Sequence, residues 1–217
     1  MHELNRFEEL VITALYNVSQ LYYATVYRNI ESFRMALHGR QGRFMDNDFE
    51  RYGERVFCYE FYHQLRKLID RERTENPDFL LGTELQGEVD KFQILGLIER
   101  FGLTSLSREF IPDFLMHSPG NAYNHPFVIE VKCTRNLSPQ ALIKDLEKIN
   151  EFITRYSYQR GLFITINSNK DEIIALLKGL SKRIESLEGK DRIKVIQKDN
   201  QDSDYNIIQL TWQTFQE

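Results

Sequence analysis

Phe127-Val128-Ile129-Glu130-Val131-Lys132-Cys133 is the stretch on which the fold turns. Read as a strand, it alternates: Glu130 and Lys132 face one side, while Ile129, Val131 and Cys133 face the other. Two charges on one side of so apolar a run are costly unless they meet each other, a metal ion or solvent. The ordinary alternative is a solvent-facing Glu/Lys ladder on a half-exposed strand.

Upstream, Ile111-Pro112-Asp113 leads into Phe114-Leu115-Met116. The proline must sit where no ladder donor is needed, so a strand predicted over 109–116 carries Asp113 at its edge. Pro119, Gly120, Asn121, Asn124, His125 and Pro126 make the intervening segment a loop between antiparallel neighbours. Asp113 then meets Glu130 and Lys132 on adjacent strands. Two acids and a lysine so placed suit a hard divalent cation and the water it activates, which is the chemistry of phosphodiester cleavage.

Farther out the pattern alternates between helix and strand. Phe7, Leu10, Val11, Ala14, Leu15, Val18, Leu21 and Tyr22 recur at helical spacing, predicting an amphipathic helix to about Leu37. A loop over 38–43 with two glycines, Arg40 and Arg43 follows, and Asp46 or Asp48 caps a second helix to about Asp70. Strands are predicted near 79–85, 109–116 and 126–133, with a short helix over 90–101 between the first two. Ser138-Pro139 opens a helix to Tyr156, with serine as cap and proline at the first position. Leu142, Ile143, Leu146, Ile149 and Phe152 form its buried stripe. Then come a strand at 161–166, a helix from Asp171 to about Leu187, and strands at 192–197 and 205–212.

These elements describe an α/β protein: a mixed central sheet, flanking helices and an N-terminal helical extension over 1–45, with the main domain over 46–217. The helix between the third and fourth strands suits a right-handed crossover between parallel neighbours, and the first three strands suit a meander. The N-terminal helices offer an accessory layer or a homodimer face.

Composition narrows the function classes. A chain of 217 residues with 41% hydrophobic and 28% charged residues has enough for one well-cored domain. The net charge of -4 gives no bulk attraction to a polyphosphate, so nucleic-acid contact requires a local basic patch or a bound metal. Cys58 and Cys133 have no zinc-ligand spacing and read as reduced thiols of a cytoplasmic protein. Neither a secretory signal nor a membrane-spanning apolar run is expected.

Pro112-Asp113 and Glu130-Val131-Lys132 in this strand context resemble the PD-(D/E)xK nuclease superfamily, whose restriction-endonuclease-like core runs αβββαβ. The resemblance covers about residues 48–167. It implies that Asp113 and Glu130 ligate Mg²⁺, with Mn²⁺ as a substitute. It also implies that the Val131 carbonyl completes the set and that Lys132 orients or deprotonates the attacking water. Many members carry a further glutamate on the helix before the first core strand, and Glu60, flanked by Val56, Phe57 and Phe61, fits that description. The alternative for Glu60 is a helix-edge acid paired with Arg55 or Lys67; Glu84 is a rival acid on the first strand. His117, after the second strand, reads as a strand-ending histidine ahead of a phosphate contact.

Arg135, Lys144 and Lys148, with Arg40 and Arg43, are the candidate phosphate contacts; Tyr22, Tyr23 and Tyr27 are candidate stacking residues, with core packing as their plainer role. The function expected is metal-dependent nuclease action on DNA, for which restriction or defence would suit the resemblance. The alternatives are a noncatalytic nucleic-acid or protein binding subunit of the same fold, or an α/β protein unrelated to nucleases.

Overall fold

A computed structural model of the chain describes residues 2–23, 46–87, 106–107, 110–120, 124–199 and 204–210, with the side chains of 46–52 left aside. The elements in chain order are α1 (His2–Asn17), a 3-10 turn (Gln20–Tyr22), α2 (Asp46–Glu75), β1 (Glu84–Gly87), β2 (Phe114–His117), β3 (Phe127–Cys133), α3 (Pro139–Arg155), β4 (Arg160–Ile166), α4 (Lys170–Gly179), α5 (Ser181–Glu185), β5 (Ile193–Lys198) and β6 (Asn206–Gln209). The expected helix over 90–101 and the basic loop at 38–43 lie outside the described residues, as do Asn121 and Tyr27.

The strands form one six-stranded mixed sheet in the order β1-β2-β3-β4-β5-β6. The pairs β1/β2 and β2/β3 are antiparallel, β3/β4 and β4/β5 parallel, and β5/β6 antiparallel. The meander and the helical crossover expected from the sequence are both present. Alternation sorts the two faces of the sheet. Phe127, Ile129, Val131 and Cys133 join Leu162, Ile164 and Ile166 in a core shared with α1 and α2. Val128 joins Phe163 and Val195 in a second core beneath α3, α4 and α5.

Helix α1 is built into the first of these cores. Phe7 packs its ring 4.4 Å from that of Phe127, and Arg6 bonds Glu72 of α2 at 2.7 Å. Beside Phe127 in the ladder, Arg160 holds Glu8 at 2.6 Å. The apolar stripe of α1 is thus spent inside the fold. The helix ends at Asn17, well before the expected Leu37, because Ser19 takes an extended conformation and caps the following 3-10 turn.

Two strands start later than their apolar runs suggest. The segment 79–83 is a turn, not a strand: Thr83 N donates to Leu80 O at 3.1 Å, and Leu80 and Gly82 adopt φ of 48° and 73°. Phe79 and Leu80 are buried as anchors of that turn, and Arg73 donates to the carbonyl of Leu80. Likewise β2 begins only at Phe114, since Pro112 has no N–H to offer a ladder and Ile111 is exposed. The expected helix from Asp171 to Leu187 is broken at Leu180 into α4 and α5, with Asn169 as the cap of α4.

Helix α3 lies unusually close to β4. Its cap is Ser138, whose hydroxyl accepts from Ala141 N, with Pro139 at the first turn. A Cβ placed on Gly161 of β4 would stand 2.1 Å from Ile149 Cγ2, so only glycine permits this approach. That contact sets the height of α3 over the sheet, and with it the positions of Asp145 and Lys148. Among the described residues, no helix is long and apolar enough to cross a membrane.

Candidate active site

Phe114 pairs with Ile129 in the antiparallel register, so Asp113, one residue earlier, stands level with Glu130. Its Oδ2 accepts a hydrogen bond from Val131 N at 2.7 Å. On the α3 side of the sheet Glu130 is 1% exposed, and its Oε2 meets Lys148 Nζ at 2.6 Å. Lys132 Nζ donates to the Val131 carbonyl at 3.1 Å and stands 3.5 Å from Asp145 Oδ2 and 3.6 Å from Glu54 Oε1. Asp145 Oδ1 lies 3.6 Å from Lys148 Nζ. Glu54 also accepts from Cys133 N at 3.1 Å, which fixes α2 to the end of β3.

Asp113, Glu130 and Lys132 therefore converge as the sequence predicts, and Val131 offers its N–H and carbonyl between them. Among the described side chains, the acid that α2 brings to this cluster is Glu54. Glu60 accepts a 2.6 Å hydrogen bond from Gln64 on its own helix, a local pairing. At 3.6 residues per turn, Glu54 falls in line with buried Phe57, Phe61, Leu65 and Ile69, whereas Glu60 is turned roughly 120° from Glu54. Of the residues that make Glu60 look enclosed in sequence, Phe57 and Phe61 are buried but Val56 is exposed, as is Tyr59 next to Glu60. Glu84 is engaged elsewhere, paired with Arg66 at 2.7 Å. Its partner across the ladder is His117, whose ring bonds Gln86 at 2.6 Å, so both belong to the opposite end of β2 from Asp113.

Asp145 is absent from the sequence-based set, yet its signal was present: an acid inside the stripe Leu142, Ile143, Leu146 and Ile149. Lys144 and Lys148 part company: Lys144 is exposed, as is Arg135, while the Lys148 side chain is only 13% exposed and turned to Glu130.

The charges do not balance. Among the described residues Asp113, Glu130, Asp145 and Glu54 face only Lys132 and Lys148, so these groups, fully ionised, carry an excess of two negative charges. Burial, then the neighbouring Asp113, pushes the Glu130 carboxyl up to about 8 despite Lys148. Burial pushes Asp113 up to about 6, against the lowering effect of the Val131 N–H and Lys132. Burial works against the Lys132 ammonium, but Asp145, Glu54, Asp113 and Glu130 outweigh it and hold its pKa above the ordinary lysine value. The close Lys148–Glu130 contact favours an ionised Glu130, while burial favours a protonated one.

The donors here, carboxylate and carbonyl oxygens, are of the type a hard divalent cation takes; the charge excess of the fully ionised groups equals that of one such ion, and Glu130 Oε1 is buried without a hydrogen-bond partner. Among the described residues no three acid, histidine or cysteine side chains stand together at ligand spacing. The ammonium groups of Lys132 and Lys148 stand between the acids instead.

No family model, curated protein or solved structure matches the chain.

Proposed function

We propose that the chain is a metal-dependent nuclease of the PD-(D/E)xK type, hydrolysing phosphodiester bonds in DNA with Mg²⁺ as cofactor. The observation that carries this reading is the meeting of buried Glu130 and half-buried Lys132 on β3 with half-buried Asp113 at the entry of β2, in a cluster with more carboxylates than lysines. The run α2-β1-β2-β3-α3-β4, with its antiparallel, antiparallel and parallel pairings, supports an αβββαβ core.

Asp113, Glu130 and the Val131 carbonyl would hold the ion, which when bound supplies Lewis acidity toward a phosphate oxygen and a water. Asp113 is braced by Val131 N and arrives with its orientation set. Lys132 is steadied by the Val131 carbonyl, Glu54 and Asp145. Held protonated by those carboxylates, it serves as a hydrogen-bond donor that orients the attacking water and faces the developing phosphate charge. Glu54 is a positioning residue in this scheme, since it fixes both Lys132 and the end of β3.

The test is incubation of the purified chain with supercoiled plasmid, linear duplex, single-stranded DNA and RNA, in Mg²⁺ and in EDTA. Cleavage of DNA that requires Mg²⁺ and disappears in Glu130→Ala and Lys132→Ala, with circular dichroism unchanged, is the expected result. Undiminished cleavage by Glu130→Ala would overturn the reading.

A further inference from the structure

We infer that the Lys148 ammonium is an internal stand-in for the divalent cation: it occupies the Glu130 end of the site, an incoming metal ion must displace it, and Asp145 retains it at the site's edge. The identity of the displacing ion rests on the nuclease reading above. The displacement itself rests on geometry.

Lys148 is no solubilising lysine. One helical turn earlier Lys144 is exposed, but Lys148 lies on the buried face of α3, 2.6 Å from Glu130 Oε2. It satisfies only one of the two carboxylate oxygens, for Glu130 Oε1 is buried without a partner. A monovalent ammonium thus leaves half of a nearly inaccessible carboxylate unserved. A divalent oxygen-seeking ion can serve both oxygens and correct the charge excess.

Asp145 provides somewhere for the displaced ammonium to go. It sits three residues before Lys148 on the same helix, 5% exposed, with Oδ1 3.6 Å from Lys148 Nζ and Oδ2 3.5 Å from Lys132 Nζ. Both distances are longer than a hydrogen bond and within ion-pair reach, so neither lysine is committed to Asp145. Rotation about the flexible lysine stem transfers Nζ from Glu130 toward Asp145 without moving α3. The ammonium then remains beside the site as a cation for a substrate phosphate.

Two measurements on the full chain test this. Calorimetric titration with MnCl₂ should show Lys148→Met binding at least about tenfold tighter than the wild type, the factor set by one charged hydrogen bond that no longer has to be broken. Unchanged or weaker binding overturns the inference. Because loss of a like charge alone also tightens binding, displacement is read separately in the wild type by reductive methylation. Lys148 should be protected without metal and modified once Mg²⁺ saturates, with exposed Lys144 reacting equally in both states. This arm also decides the matter if Lys148→Met does not fold. Lys148 still protected in the metal-bound protein overturns the inference, as does absence of divalent binding to either protein. Displacement without DNA cleavage would sink the nuclease reading and leave the stand-in intact; cleavage with Lys148 protected would do the reverse.

Discussion

The Asp113 carboxylate accepts a 2.7 Å hydrogen bond from the backbone N–H of Val131, tying the entry of β2 to the middle of β3. One side chain thereby serves the fold and the site, and substitutions can separate the two. Asp113→Asn keeps an acceptor oxygen of the same shape and removes the charge. It should stay near wild-type stability in urea denaturation while Mg²⁺-dependent cleavage falls by about 10²–10³, the usual cost of one electrostatic group at a reacting centre. Asp113→Ala removes the acceptor as well and should lose a further roughly 1–3 kcal/mol of stability for the unsatisfied Val131 N–H.

Glu54 and Glu60, both on α2, are predicted to behave oppositely. Glu54→Gln loosens Lys132 and the end of β3, and should lower turnover by about 10- to 100-fold, as supporting contacts to a metal site commonly do. Glu60→Gln disturbs only a bond to Gln64 and should leave cleavage and metal affinity at wild-type values. Steady-state cleavage with both variants side by side checks this; equal losses would remove Glu54 from the site.

The contrast between these residues shows where the sequence was legible. Alternation in 127–133 placed Glu130 and Lys132 on one face because that signal is local, whereas the start of β2 was set too early, at 109, although Pro112 has no ladder donor to offer. The mixed sheet and its crossover followed from the order of short apolar runs. The third acid did not, because Glu60 has more apolar neighbours in sequence than Glu54 has. Which of them is enclosed depends on the face that α2 turns to the sheet, and Val56 and Tyr59 lie off that face. Asp145 and Lys148 were concealed for a related reason: whether a helix charge is solvated or meets a strand charge depends on how close α3 lies to β3 and β4. Periodicity alone does not report that distance.

Stability of the metal-free protein should fall as pH rises. The folded-state pKa of Glu130 is raised from 4.5 to about 8, and that of Asp113 from 3.8 to about 6. Between those limits the folded chain still holds protons that the unfolded chain has released, so unfolding is increasingly favoured as pH increases. The loss is complete once pH exceeds the folded-state value of Glu130. Urea midpoints in EDTA should decline between about pH 5 and about pH 8. Glu130→Gln, which cannot ionise, should flatten most of that decline. A midpoint that rises with pH over the same window would contradict the buried, cation-poor character of the site.

The close approach of α3 to β4 offers a structural test that substitutes no titrating group. Gly161→Ala would place a methyl 2.1 Å from Ile149 Cγ2, so either the helix must lift or Ile149 must leave its position. Overpacking of this kind costs about 1–3 kcal/mol. If α3 lifts, Asp145 and Lys148 rise with it and the contacts with Glu130 and Lys132 lengthen, so metal affinity should weaken together with stability. Shortening the partner side chain relieves the clash. The double variant Gly161→Ala/Ile149→Ala should therefore be less destabilised than the sum of its single changes, by more than about 0.5 kcal/mol in a denaturation cycle. Strict additivity would mean that Ile149 does not set the height of α3, and that the alignment of Lys148 with Glu130 is determined elsewhere along the helix.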